Sequence, residues 1–196
     1  MNLNDVIEFF DSCAESWDEY LSPDIEKINE ILAASQIKTG ESVLDIACGT
    51  GVMFPYYLER GAESVTGIDI SPKMLRKAEE KFKDNDKIRL FCADASAYAF
   101  KGTYDRCFVF NAFPHFDSPE VLLKNLYSAL KNGGTLTVAH DSGRSEIDKH
   151  HENCAKDVSN GLMSEDKLEE LLYSAGFTSV YKKANDGIYI VTGTKA

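Results

Sequence analysis

The chain has 196 residues, 43% of them hydrophobic and 27% charged, the length and balance of one globular domain with a sizeable core. Its 21 basic and 32 acidic residues leave a net charge of −11, which works against binding nucleic-acid backbones or anionic lipid surfaces. No run approaches the roughly 20 apolar residues of a membrane span, and the five cysteines are scattered without a C-x-x-C pair, which points to reduced cytoplasmic thiols rather than a disulfide framework or a zinc knuckle.

The N-terminal stretch before residue 40 is acidic and amphipathic, without the basic start and apolar centre of a secretion signal, and reads as a helical cap. Ser-Pro occurs at Ser22-Pro23, Ser71-Pro72 and Ser118-Pro119, each time before an amphipathic run. Serine there is expected to cap a helix, with proline in the first turn, where its missing N–H costs nothing. Between the helices lie apolar runs that predict strands buried on both faces: 42–47, 64–70, 88–93, 106–111 and 135–139. A further helix is expected over 165–175, with Gly176 closing it. Two alternating segments, 178–184 and 188–194, flank an Asn185-Asp186-Gly187 turn and predict a hairpin.

Strands alternating with helices define an α/β fold. The expectation is a doubly wound, seven-stranded, mostly parallel sheet with an antiparallel edge hairpin and helices on both faces, three layers in all. The domain divides into a lid (1–40), a cofactor-binding core (41–140), a polar insertion (141–160) and a C-terminal helix and hairpin (161–196). The insertion carries few apolar residues, yet sits where a short connection would suffice. It is therefore read as an active-site cover.

The most informative residues are Val43 to Gly51 (VLDIACGTG). A buried strand runs into a glycine turn and then a helix (52–60). Gly49 and Gly51 let a ligand approach the backbone, and the helix start offers free N–H groups. Asp69 ends the next strand, 20 residues after Gly49, where a carboxylate can accept from ribose hydroxyls. Together these point to a nucleoside-bearing cofactor. A nicotinamide cofactor is disfavoured because Gly49-Thr50-Gly51 lacks the third glycine of G-x-G-x-x-G, and because Asp45 before the turn suits a cation better than a pyrophosphate.

From about Phe9 onward the sequence resembles class I S-adenosylmethionine-dependent methyltransferases, small-molecule type. VLDIACGTG is similar to their first motif. The resemblance implies that Asp45, Ala47, Cys48, Gly49, Thr50 and Gly51 hold the methionine part of the cofactor, Cys48 as a small apolar filler. GIDIS-x-x-ML implies Asp69 on the ribose, with Ile70 and Met74 flanking the adenine. FCADA implies that Asp94 and Ala95 meet the adenine edge, and FFDSCAESWDEY resembles a lid in which Trp17 and Tyr20 close over the cofactor.

The fourth strand ends in Asn111-Ala112-Phe113-Pro114-His115-Phe116, which in the family runs beside the transferred methyl. The prolines that follow Asn in adenine methyltransferases are missing, so a small-molecule acceptor is expected and a nucleic acid is not. All four histidines lie between 115 and 151. His115 and His140, the latter beside Asp141, follow strands at the ligand edge and are the candidate bases, with Phe113 and Phe116 as apolar walls. His140, Asp141 and either His150 or His151 are residue types that suit a metal, but no ligand spacing is recognisable and no metal site is assigned. The expected activity is methyl transfer by a cytoplasmic monomer or homodimer. The alternatives are a non-catalytic module that binds the same cofactor, a nicotinamide-dependent oxidoreductase and aminopropyl transfer on the same fold.

Overall fold

A computed structural model describes residues 2–20, 22–100 and 103–196, with the side chains of Tyr20 and of residues 150–154 outside the description. The order is α1 (Leu3–Cys13), a 3₁₀ turn (Trp17–Tyr20), α2 (Ile25–Ser35), β1 (Ser42–Ile46), α3 (Phe54–Glu59), β2 (Ser64–Asp69), α4 (Pro72–Phe82) and β3 (Ile88–Cys92). Then come β4 (Tyr104–Phe110), a 3₁₀ turn (Phe113–His115), α5 (Pro119–Ala129), β5 (Leu130–His140), α6 (Arg144–Cys154), a third 3₁₀ turn (Lys156–Val158), α7 (Glu165–Ala175), β6 (Ser179–Asn185) and β7 (Ile188–Thr194).

The strands form one seven-stranded sheet in the order β3-β2-β1-β4-β5-β7-β6. Pairings from β3 across to β5 are parallel, whereas β7 runs antiparallel between β5 and β6. The expected hairpin is present, but its antiparallel member lies inside the sheet and β6 forms the edge. The chain reverses its winding between β1 and β4, and a crevice opens there at the carboxyl ends of the strands.

Alternation along the strands feeds two cores. Leu44, Ile46, Cys107, Val109, Leu136 and Val138 meet α5 and α7 on one face. Val43, Val65, Phe108 and Ile190 meet α2, α3 and α4 on the other. At the amino ends of β1 and β4, the nearly buried Arg106 donates to Glu41 at 2.7 Å and to the Gly133 carbonyl at 3.4 Å.

The three Ser-Pro expectations divide. Ser71 caps α4, accepting from the Met74 N–H at 3.1 Å. Ser118 precedes α5 but makes no side-chain cap. Ser22 is not a cap: Asp24 takes that role for α2, accepting from the N–H groups of Glu26 at 3.0 Å and Lys27 at 3.3 Å. A carboxylate two residues on outcompetes the hydroxyl because it is the stronger acceptor.

Candidate active site

The turn after β1 is built from left-handed backbone. Ala47, Gly49 and Gly51 have φ of 53°, 55° and 81°. For Ala47 this conformation stores strain of about 1–2 kcal/mol. The two glycines differ in what surrounds them. A methyl at Gly49 would meet nothing within 4 Å, whereas one at Gly51 would reach the Phe54 ring at 2.7 Å and Phe82 at 2.8 Å. Gly49 thus borders open space, and Gly51 lets the turn pack on α3 and α4.

Asp69 braces this turn from β2. Its carboxylate accepts from the Gly49 N–H and the Ser71 N–H, each at 2.8 Å. Burial pushes its pKa up, and the N–H groups of Ser71 and Gly49 pull back against that shift. A carboxylate has about four acceptor positions, so with the Ile70 N–H also directed at it some capacity remains for a ligand hydroxyl. Asp45 lies deeper, only 2% exposed, and does not line the cavity. Burial pushes its carboxyl well above the ordinary range, partly opposed by the nearby Tyr57 hydroxyl, and Asp69 adds to the rise. Burial likewise raises the Cys48 thiol, which suits a filler and not a nucleophile.

A cavity of about 360 Å³ opens above the turn. Ala47, Cys48, Gly49 and Thr50 form its floor, and Asp69, Ile70 and Met74 one wall. Asp94 and Ala95 line it after β3, and Asn111 and His115 after β4. Asp94 also caps its own turn, accepting from the Ser96 N–H at 2.8 Å. Trp17 closes the top together with Leu3, Val6 and Phe10 of α1, which the sequence reading did not single out. Phe116 contributes a wall; Phe113 is turned into the core instead and does not line this cavity. The Tyr20, His150 and His151 side chains lie outside the described residues.

The lid is moored by acids at helical spacing. Asp11 accepts from the Ser71 hydroxyl at 2.6 Å and the Lys73 N–H at 3.1 Å. Glu15 pairs with Lys77 at 2.6 Å. Asp18 accepts from the Thr50 hydroxyl at 2.5 Å and pairs with Lys81 at 2.8 Å. Burial works to raise the Asp18 pKa, but hydrogen bonds from Lys81 and Thr50 hold the carboxyl below its ordinary value.

The two candidate bases are placed differently. His115 lines the cavity, its Nδ1 lies 2.6 Å from the Val158 carbonyl oxygen, and its ring meets Phe10 edge-on at 5.0 Å. A carbonyl only accepts, so Nδ1 carries a proton, and whenever the ring is neutral its lone pair is on Nε2. His140 is 2% exposed, stands outside the cavity lining and packs edge-on to Tyr189 at 6.0 Å. Continuing the alternation of β5 by one residue carries His140 to the same face as Val138, into the core. Asp141 is also outside the lining. Its carboxylate accepts from the Asn111 side-chain amide at 2.9 Å, and its N–H donates to the Asn111 side-chain oxygen at 3.2 Å. Asn111 has φ 52°, a left-handed geometry that asparagine tolerates, and Asp141 holds it facing the cavity. Among the described residues, no three His, Cys, Asp or Glu side chains are grouped to hold a metal ion.

The fold is Rossmann-like, with the sheet order and crevice found in class I methyltransferases. Residues 43–134, just under half of the chain, match the family described as "Methyltransferase domain". It is 31% identical over 109 residues to (S)-coclaurine N-methyltransferase of Thalictrum flavum subsp. glaucum, covering 54% of this chain and 30% of that protein. It is 28% identical over 158 residues to malonyl-[acyl-carrier protein] O-methyltransferase of Paenibacillus sp. (strain JDR-2), covering 73% of this chain and 57% of that one. The chain thus spans from under a third to under three fifths of these relatives. In structure it resembles phosphoethanolamine N-methyltransferase 2 of Haemonchus contortus, solved with phosphomonomethylethanolamine and S-adenosylhomocysteine. That likeness has a TM-score of 0.79 at 18% identity, covering 100% of this chain and 60% of the other.

Proposed function

We propose that this chain transfers a methyl group from S-adenosylmethionine to a small acceptor that is uncharged or cationic, with His115 as the base. The cavity fits the cofactor on its own terms. The space over Gly49 is open, Asp69 keeps acceptor capacity beside it, and Ile70 and Met74 give an apolar wall to a flat ring. When bound, the cofactor supplies an electrophilic methyl for in-line displacement.

The observation that carries the acceptor class is electrostatic. Among the described residues the lining contains no Lys or Arg, while Asp69, Asp94 and Asp117 all border it. A carboxylate or phosphate acceptor would find no Lys or Arg counter-charge among those residues. A phenol, alcohol or amine would need its proton removed or its lone pair exposed, and the Nε2 lone pair of His115 serves the first need. Leu3, Val6, Phe10, Trp17 and Phe116 exclude water and give the acceptor apolar contact. Asp141 then acts from behind by fixing Asn111.

The same reading has the chain working in the cytoplasm as a monomer or homodimer without a nucleic-acid partner, in line with its net charge of −11. No helix of the described residues is long and apolar enough to cross a membrane. The test is direct. S-Adenosylmethionine should raise the melting temperature of the wild type and of His115→Gln alike. Methyl transfer to a panel of phenols and amines, followed by S-adenosylhomocysteine release, should fall about 10²- to 10⁴-fold in the variant. No thermal response in the wild type would remove the reading altogether.

A further inference from the structure

The polar insertion ends in a short strap, Ala155 to Asn160, that touches both the lid and the turn bearing His115. Toward the turn it makes three hydrogen bonds. The Val158 carbonyl receives His115 Nδ1 at 2.6 Å, the Asn160 N–H donates to the Pro114 carbonyl at 2.9 Å, and the Asn160 side-chain amide donates to the Phe116 carbonyl at 3.3 Å. These bonds grip the residue before His115, the residue after it and the ring itself.

Toward the lid the strap presents apolar groups. Ala155 and Val158 are buried in one cluster with Val6 of α1, and Phe9, Phe10 and Ile70 pack against it. Phe10 continues the contact to the ring of His115 at 5.0 Å and to that of Trp17 at 5.8 Å. Ile70 belongs to the wall where the adenine is expected, so the cluster joins lid, cofactor wall and strap. Val158 does both tasks at once: its side chain is buried under the lid and its carbonyl orients the base.

We propose that the strap sets His115 for proton removal only while the lid is seated, so that enclosing the cofactor and readying the base are one event. Phe10 and Asn160 are then positioning residues that act through His115. This rests on His115 being the base. It goes further by making catalytic readiness depend on α1, which carries no titrating group used in the reaction. An unseated lid would remove Val6 and Phe10 from the cluster, expose Val158 to water and free its carbonyl to hydrate. The imidazole would then lose its fixed tautomer.

The test uses the full chain bound to S-adenosylhomocysteine, with ¹⁵N-labelled histidine, at about pH 8, above the ordinary imidazole pKa of roughly 6.5. The His115 resonance is assigned by its loss in His115→Gln. In the wild type His115 should show one tautomer, protonated at Nδ1. Phe10→Ala and Asn160→Ala should each give a mixture of both tautomers. Phe10 is only partly buried, so the variant should keep its fold. Amide exchange adds a second reading: protection of the Asn160 N–H should drop roughly two- to tenfold in Phe10→Ala, the range an edge-on aromatic pair supports.

A pure Nδ1–H tautomer and unchanged Asn160 protection in Phe10→Ala would overturn the coupling. A wild-type His115 protonated at Nε2 would overturn the strap's role. The base assignment is judged separately by turnover in His115→Gln. If His115 is needed for turnover but indifferent to Phe10, the base stands and the coupling goes. If turnover survives without His115, both go.

Discussion

Exchanging each glycine of the β1 turn for alanine separates the cofactor's space from the protein's own packing. Both glycines sit at positive φ, so either substitution costs about 1–2 kcal/mol of backbone strain. At Gly51 the added methyl also falls within 2.8 Å of two phenylalanine rings, an overpacking worth about 1–3 kcal/mol more. For 196 residues the unfolding entropy corresponds to about 0.4 kcal/mol per degree at the melting point. Gly49→Ala should therefore melt about 2–5 °C below the wild type, and Gly51→Ala about 5–12 °C below. With S-adenosylmethionine at a hundred times its Kd, the wild type should gain about 2.7 kcal/mol, or about 7 °C. At Gly49 nothing among the described residues opposes a methyl, so the obstruction is felt by the ligand. An overlap of about 1–3 kcal/mol would cut that gain to between about 4 and 1 °C. Differential scanning fluorimetry reads all of these. A full cofactor response in Gly49→Ala, with the expected drop in its ligand-free melting temperature, would refute the placement of the cofactor over this glycine.

Two further outcomes follow from charges outside the cavity. Arg106 and Glu41 have side chains only 6% and 17% exposed. Glu41→Ala strands the guanidinium and should cost about 3–5 kcal/mol, a fall of about 7–12 °C, whereas Glu41→Gln keeps an acceptor and should cost clearly less. Equal melting of the two variants would show that charge compensation is not what stabilises this end of the sheet. Asp18, held below its ordinary pKa, should moor the lid fully above the unfolded carboxylate value of about 3.9 and release it as pH falls through the lower, folded value. Emission from Trp17, the single tryptophan, should stay flat through neutral pH and change only in acid, and Asp18→Asn should abolish that step. A Trp17 transition at neutral pH would show that a different group holds the lid.

Much of the fold was legible because β1, β2, β4 and the end of β5 are buried on both faces, and uninterrupted apolar runs have few other readings; β3, expected to be buried likewise, is an edge strand with Phe91 and Cys92 exposed. The glycine turn and Asp69 were legible for a different reason: the backbone there departs from ordinary geometry, and glycine at fixed spacing marks the departure. The Ser22 cap was misread because Ser22-Pro23-Asp24 offers two acceptors within three residues, and only the register of α2 chooses between them. His140 could have been placed by alternation along β5, since the strand continues past Ala139. Its proximity to Asp141 in sequence drew it toward the site instead. The pairing of Asn111 with Asp141 was hidden, although both residues were noted. It depends on β4 and β5 being neighbours and ending level. Phe10 was legible only as part of the lid-like FFDSCAESWDEY, and Val158 and Asn160 carried no signal, because their contacts with the His115 turn and with α1 join distant segments and no local periodicity encodes them.

The lid is held at two edges by unlike forces, and the difference bears on how it responds to salt. At the cofactor edge Asp11 and Asp18 accept from the Ser71 and Thr50 hydroxyls, and Glu15 and Asp18 form ion pairs with the half-buried Lys77 and the exposed Lys81 of α4. Such pairs contribute little individually and weaken with ionic strength. At the acceptor edge Val6 is buried with Ala155 and Val158, a contact that salt does not screen and that water can only enter after the surfaces part. Salt should thus loosen the Glu15 and Asp18 ion pairs while leaving the Val6 contact in place.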